Sequence, residues 1–239
     1  MSSTVTSIPV HERLIVALDV PDFRKAQALV EQLDDTVQFY KIGLELATSR
    51  DYFRLLDWLL DRDKRVFADL KLYDIPATVA AAVRQMSRSG ASFLTVHGEP
   101  SIMQAAADSK GDTLKILAVT VLTSINQDDL GAMGITMDVD ALTLERARKS
   151  VNCGCDGVIA SGLEVERLRE NLGSAPLIVT PGIRPKGQAK EDDQKRVVTA
   201  EMAFRAGADY IVVGRPVRSA SDPHEAAGEL QREIAAVFR

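Results

Sequence analysis

Two carboxylates and one amine fall within six positions of a single segment, Val66 to Thr78, which reads VFADLKLYDIPAT. It opens as an apolar strand, sets out Asp69, Lys71 and Asp74, and closes on Ile75-Pro76. A lysine flanked by carboxylates keeps its proton, because nearby opposite charge favours the ammonium. That suits an acid or a fixed positive charge better than a Schiff-base amine. Side chains alternate along a strand, so Asp69 and Lys71 share one face while Ala68, Leu70 and Leu72 share the other. Further polar residues end other strand-like runs: Asp19, Lys41, His97, Thr123-Ser124, Arg184 and Arg215. His97 taken alone reads as a hydrogen-bonded core histidine. Asp19, Lys41, Asp69 and Lys71 together alternate in sign. Such a group in a partly dry pocket has to be mutually paired, since an isolated buried charge is very costly. A second chemistry is phosphate recognition. The segments TPGIRPKGQAKEDDQ and VVGRPV supply Arg184, Gln194, the Gly214 amide and Arg215, and a planar guanidinium donates two parallel bonds to a phosphate.

These residues must be positioned by regular elements. Apolar, β-rich runs occur at 14–20, 38–46, 65–72, 92–98, 115–123, 157–161, 177–182 and 210–215. Helical patterns lie between them, over 23–33, 52–60, 77–89, 101–108, 141–150, 163–172, 200–206 and 223–238. Asp51, Ser101 and Ser221 or Asp222 suit N-caps, and Gly90 and Gly207 suit left-handed C-caps. Strand and helix repeated about eight times, with no Pro-, Gly- or Ser-rich linker, predict an α/β fold of parallel strands. The eightfold count favours a closed (β/α)₈ TIM barrel over an open doubly wound sheet. The absence of G-x-G-x-x-G and of G-x-x-x-x-G-K-[ST] weakens the open sheet further. The expectation is one domain over 1–239, with 1–13 a loosely ordered lead-in and irregular stretches at 124–137 and 184–194. In this arrangement the polar residues named above sit at the C-terminal ends of the strands, the catalytic face of such barrels.

Composition removes other classes. The 239 residues are 46% hydrophobic and 26% charged, which fits a soluble globular chain with a large core. The net charge of -5 offers no bulk attraction to nucleic acid or an anionic membrane. No apolar run approaches the roughly 20 residues needed to span a bilayer, and no secretion or organelle signal is legible at the start. The only two cysteines, Cys153 and Cys155, read as small buried thiols in a reducing compartment rather than as a disulfide, redox or metal pair. The expected location is the cytoplasm.

The D-x-K-x-x-D-I-P pattern of Asp69, Lys71, Asp74, Ile75 and Pro76 resembles the orotidine 5'-monophosphate decarboxylase family. The agreement runs through Ala17-Leu18-Asp19, Lys41-Ile42-Gly43, Leu122-Thr123-Ser124, Thr180-Pro181-Gly182-Ile183-Arg184, Asp193-Gln194 and Val213-Gly214-Arg215-Pro216. The resemblance implies a (β/α)₈ homodimer that converts orotidine 5'-monophosphate to UMP and CO₂, the last step of de novo UMP synthesis. It implies no cofactor and no metal. It also implies roles. Asp19 contacts the ribose and orients Lys41. Lys41 bonds the ribose and links the aspartates, Asp69 lies beside the substrate carboxylate, and Lys71 donates the proton. Asp74 and Thr78 serve the neighbouring subunit's site in trans. Thr123 and Ser124 contact substrate, Ser124 at the pyrimidine, and Gln194 bridges pyrimidine and phosphate. Arg184, Gly214 and Arg215 hold the phosphate. Tyr73 carries no role.

The chemistry suits these residues. Decarboxylation at C6 leaves an electron pair in the ring plane, which the ring's π-system cannot delocalise well, and most decarboxylases supply a cofactor as the electron sink. A fixed ammonium beside C6 stabilises that charge and can then protonate the carbon. Lysine can give up its proton where arginine does not. Two other readings stay open at this stage. One is a sugar-phosphate lyase of the same superfamily that needs Mg²⁺ for an enediolate. The other is a non-catalytic nucleotide-phosphate binder, whose charge set would be broken.

Overall fold

The computed structural model describes residues 8–185 and 197–239. Among them, eight parallel strands close into a barrel in chain order. They are β1 (Leu14–Ala17), β2 (Phe39–Ile42), β3 (Arg65–Leu72), β4 (Phe93–Val96), β5 (Lys115–Val119), β6 (Gly157–Ile159), β7 (Leu177–Thr180) and β8 (Tyr210–Val213). The ring closes where β8 pairs with β1, Val212 opposite Ile15. Around it lie α1 (Phe23–Leu33), α2 (Leu44–Ala47), α3 (Tyr52–Leu60), α4 (Pro76–Met86), α5 (Pro100–Ser109), α6 (Gln127–Ala132), α7 (Val139–Asn152), α8 (Val165–Leu172), α9 (Ala200–Arg205), α10 (Arg215–Arg218) and α11 (Pro223–Val237). This is the (β/α)₈ barrel that the alternation predicts; the open sheet is excluded.

Period two explains why the strands are apolar on both faces. Ile15, Ala17, Phe39, Phe67, Phe93, Leu117, Val179, Tyr210 and Val212 fill the barrel interior. Their neighbours Leu14, Val16, Tyr40, Ile42, Val66 and Ala68 pack outward against the helices. Each fully buried Phe or Leu of this kind stabilises the fold by about 1.5–3 kcal/mol. The helices answer with one apolar face. In α1, Phe23, Ala26, Leu29, Val30 and Leu33 are buried, and the Asp22 side chain caps the start by accepting from the Lys25 amide.

Several local expectations shift. The second strand ends at Ile42 rather than at 46, with Gly43 at the N-cap of the short helix α2. The stretch 124–137 is not wholly irregular. Asn126 and Asp129 form a reciprocal capping box that starts α6. Ser101 is not an N-cap; α5 starts a residue earlier, with Pro100 in its first turn, where a missing N–H costs nothing. Asp51 stands at the N-cap of α3 but makes no capping bond to the backbone there, its side chain pairing with Arg54 instead, whereas Asp222 accepts from the Glu225 amide. Pro76 opens α4, with Ile75 extended before it (φ -54°, ψ 147°). Gly207 follows α9 at φ 105° and Gly90 lies beyond α4 at φ 83°.

The described part of the lead-in, residues 8–13, is held against the barrel. Val10–Glu12 form a 3₁₀ turn. The Gln231 side chain donates to the His11 carbonyl, and Arg13 donates to the Asp209 carbonyl while lying 4.1 Å over the Phe238 ring. At this N-terminal end of the barrel, Arg65 pairs with Glu12 and sits 4.3 Å over Phe39.

One irregularity falls on the opening motif. β3 and β4 pair Phe67 with Phe93 and Ala68 with Leu94, and then resume at Leu72 with Val96. The register shifts in between, and Lys71 takes a left-handed φ of 48°.

Candidate active site

A cavity of about 570 Å³ opens at the C-terminal ends of the strands. β1 to β3 bring Asp19, Lys41, Asp69 and Lys71 to it. The segment after β5 brings Thr123 and Ser124, that after β7 Arg184, and that after β8 Gly214, Arg215 and Arg218. Ala17, Phe67, Val119, Ile159 and Val212 give the cavity apolar lining.

The four charged residues form one chain of alternating sign. Lys41 Nζ lies 3.0 Å from Asp19 Oδ1 and 3.3 Å from Asp69 Oδ2. Lys71 Nζ lies 2.8 Å from Asp69 Oδ1. Lys41 and Asp69 are buried, while Lys71 and Asp19 reach the cavity more openly. Burial works against the charge on both buried groups, and the neighbours overcome it. For Lys41, desolvation is the largest effect and lowers its pKa, yet the carboxylates of Asp69 and Asp19 together carry it above its ordinary value. For Asp69, desolvation raises the pKa, but Lys41, Lys71 and the Thr95 hydroxyl hold the carboxyl below the usual range. The chain is therefore ionised throughout its buried part at neutral pH.

Two supports were not singled out from the sequence. Gly43 packs so closely that a Cβ there would lie 3.0 Å from Lys41 Nζ and 3.2 Å from Asp19 Oδ1. Thr95 donates its hydroxyl to Asp69 Oδ1 at 2.9 Å. Its signal was available: it is a polar residue on the inward face of an otherwise apolar strand. Arg218 was also unremarked, although it lines the cavity and its buried Nε has no hydrogen-bond partner among the described residues.

Other expected site residues are placed elsewhere. Asp74 and Thr78 are exposed and do not line this cavity; Asp74 accepts from the Ile75 amide at 2.6 Å. Gln194 lies outside the described residues. His97 is half-buried beside the Tyr73 ring, centroids 5.8 Å apart, and does not line the cavity; burial, then Arg146, lowers its pKa. Cys153 and Cys155 are free and buried. Burial, helped by Cys153 and Asp156, pushes the Cys155 thiol up to about 12, which keeps it protonated and unreactive. Among the described residues, no cluster of three or more His, Cys, Asp or Glu is arranged to hold a metal ion.

A sequence model described as the Orotidine 5'-phosphate decarboxylase / HUMPS family matches residues 12–230. The chain belongs to this family. A family relative from Methylococcus capsulatus, named orotidine 5'-phosphate decarboxylase, is 57% identical over 231 residues, covering 97% of this chain and 95% of the relative. One of the same name from Xanthomonas oryzae pv. oryzae is 51% identical over 237 residues, covering 99% and 97%. The crystal structure of orotidine 5'-phosphate decarboxylase from Lactobacillus acidophilus superposes with a TM-score of 0.82 at 34% identity, covering 93% of this chain and 99% of that one. The Pyrococcus horikoshii enzyme of that name gives 0.73 at 27% identity, again over 93% and 99%. Family membership thus covers the barrel and every strand that carries the charged chain.

Proposed function

We propose that this chain is a carboxy-lyase that converts orotidine 5'-monophosphate to UMP and CO₂ in pyrimidine synthesis, with no cofactor and with Lys71 protonating C6. The observation that carries this reading is the Asp19–Lys41–Asp69–Lys71 chain, which ends on an ammonium open to a cavity whose other segments bring arginines. The bond from C6 to the carboxylate breaks and its electron pair stays on C6. The Lys71 ammonium, aligned beforehand by Asp69, stabilises that pair and then transfers a proton to it. Fixing the charge before reaction matters because no reorganisation is then needed as the carbanion forms. The Asp69 carboxylate beside the substrate carboxylate adds ground-state repulsion that CO₂ loss relieves.

The remaining residues bind. Lys41 and Asp19 take the ribose hydroxyls, and Thr123 and Ser124 the pyrimidine. Arg184, the Gly214 amide and Arg215 take the phosphate, with Gln194 bridging to the pyrimidine. Phosphate binding far from C6 contributes energy that serves the chemical step.

The working unit is a homodimer. Asp74 and Thr78 lie outside their own cavity, and their neighbours Tyr73 and Ile75 are 61% and 66% exposed. A second subunit laid on this segment buries those apolar side chains and lets Asp74 and Thr78 complete the partner subunit's site. Buried free thiols and the lack, among the described residues, of a helix able to cross a membrane support a cytoplasmic setting.

Following orotate absorbance after mixing enzyme and orotidine 5'-monophosphate tests the activity, with EDTA present. The expected result is full turnover with EDTA. Absence of turnover in a folded dimer refutes the proposal, and activity that EDTA abolishes points to the Mg²⁺-dependent sugar-phosphate lyases. Mixing inactive Lys71→Ala with inactive Asp74→Ala subunits tests the shared site. Partial recovery is expected, and none after verified subunit exchange refutes it.

A further inference from the structure

Thr95 lies in the middle of β4, wholly buried, on the face turned to the barrel interior. It does not line the cavity. Its hydroxyl makes two bonds to the charged motif on the neighbouring strand. It accepts from the Lys71 backbone N–H at 2.9 Å and donates to Asp69 Oδ1 at 2.9 Å.

The register shift explains why a side chain is needed here. Between the Ala68–Leu94 and Leu72–Val96 pairs, four steps of β3 face two steps of β4. Lys71 sits in this bulge at φ 48°, a conformation non-glycine residues rarely adopt. Regular pairing resumes at Leu72 with Val96, where the His97 amide donates to the Leu72 carbonyl at 3.0 Å. A buried amide left without a partner is costly, and the Thr95 hydroxyl supplies the missing acceptor. The same hydroxyl then uses its single proton on Asp69 Oδ1, which also accepts from Lys71 Nζ. Asp69 Oδ2 is thereby left to Lys41. One hydroxyl fixes both the backbone from which Lys71 projects and the carboxylate that aims its ammonium.

We infer that Thr95 is a positioning residue for Lys71, holding the bulged backbone and Asp69 together so that the ammonium points at the reacting carbon. This rests on the decarboxylase reading. Valine matches threonine in shape and can make neither bond; serine can make both. Thr95→Val is expected to lower kcat by about 10–10²-fold, the scale of a misplacement near 1 Å. KM for orotidine 5'-monophosphate and affinity for UMP should stay within about twofold, because no binding group is touched. Thr95→Ser should restore kcat to within about threefold of wild type. A normal kcat in Thr95→Val overturns the inference, and so does a Thr95→Ser chain as impaired as the valine one, or a KM that rises with the loss of kcat. If Thr95→Val does not fold, Thr95→Cys replaces it, differing from serine only by sulfur for oxygen; equal kcat in the two overturns the inference. Amide hydrogen exchange reads the geometry without turnover. The Lys71 amide should lose protection in Thr95→Val and keep it in Thr95→Ser, while Phe67 and Ala68 are unchanged. Unchanged Lys71 protection overturns the inference even if the wild type proves inactive on orotidine 5'-monophosphate, a result that separately refutes the decarboxylase reading.

Discussion

At the N-terminal end of the strands, Arg65 meets Glu12 and lies over the rings of Phe39 and Phe93, with Tyr210 against both rings. At the C-terminal end, Lys41, Asp69 and Lys71 stand on the same strands and open onto a cavity. Both ends bring charge into the barrel and both pair it. They differ in what is left over. The guanidinium at the floor has the Glu12 carboxylate on one side and aromatic faces on the other, so its partners come from the protein itself. Lys71 Nζ has three protons and one hydrogen bond, to Asp69, among the described residues. A charge ringed by protein partners holds a fold together. A charge held rigid but incompletely bonded is available to a ligand.

Removing residues at each end should separate the two uses. The largest effect is expected for Lys71→Ala, whose turnover should fall by about 10⁴-fold or more, since proton donation and charge stabilisation are lost together. Its melting temperature should stay close to wild type, as Lys71 contributes little to the core; residual turnover near normal would remove the proposed mechanism. Arg215→Ala should raise KM for the phosphorylated substrate by about 10–10²-fold, the loss of charge-assisted bonds, and steady-state kinetics with the unphosphorylated nucleoside should show no such change. At the floor, Glu12→Ala should cost about 1–3 kcal/mol in a urea titration by leaving Arg65 without its carboxylate, with kcat unchanged. A loss of kcat there would erase the distinction between the two ends.

The finest test is one of pH. The Asp69 pKa is lowered on folding, so its contribution to stability is complete above the ordinary carboxylate value of about 4 and disappears as pH falls through the lower folded value. The gap in urea midpoint between wild type and Asp69→Asn should be flat from pH 7 to about pH 4 and narrow below it. Lys41 has the opposite sign. Its pKa is raised on folding, so its contribution is present below the ordinary lysine range and is lost as pH rises through the folded value. A gap that widens on acidification would mean that Asp69 is not the partner holding the lysines.

Much of the fold was legible because parallel barrel strands are buried on both sides and separated by amphipathic helices. The runs around Ile15, Phe67 and Val212 needed only their apolar character and spacing to be read as strands. Elements shorter than that signal were missed. α2 and α10 span four residues each, too few for a periodic pattern, and α6, of six residues, fell within the stretch read as irregular. Within the site, Asp19, Lys41, Asp69 and Lys71 stood out because charge at a strand end is conspicuous. Thr95 and Gly43 did not, since a threonine on the inward face of an apolar strand is a faint signal beside a charge, and a glycine after a strand looks ordinary until its neighbours are known.

By itself, the sequence determined the barrel, the end of it that carries the charged residues, and the face that Asp69 and Lys71 share, because these follow from period two and from strand order. Only the tertiary structure decided the bulge at Lys71, the division of the Asp69 oxygens between two lysines, the role of Thr95, and the exposure of Asp74 outside its own cavity. Those depend on register between strands distant in sequence. Register is set by the closure of the whole ring rather than by any local pattern.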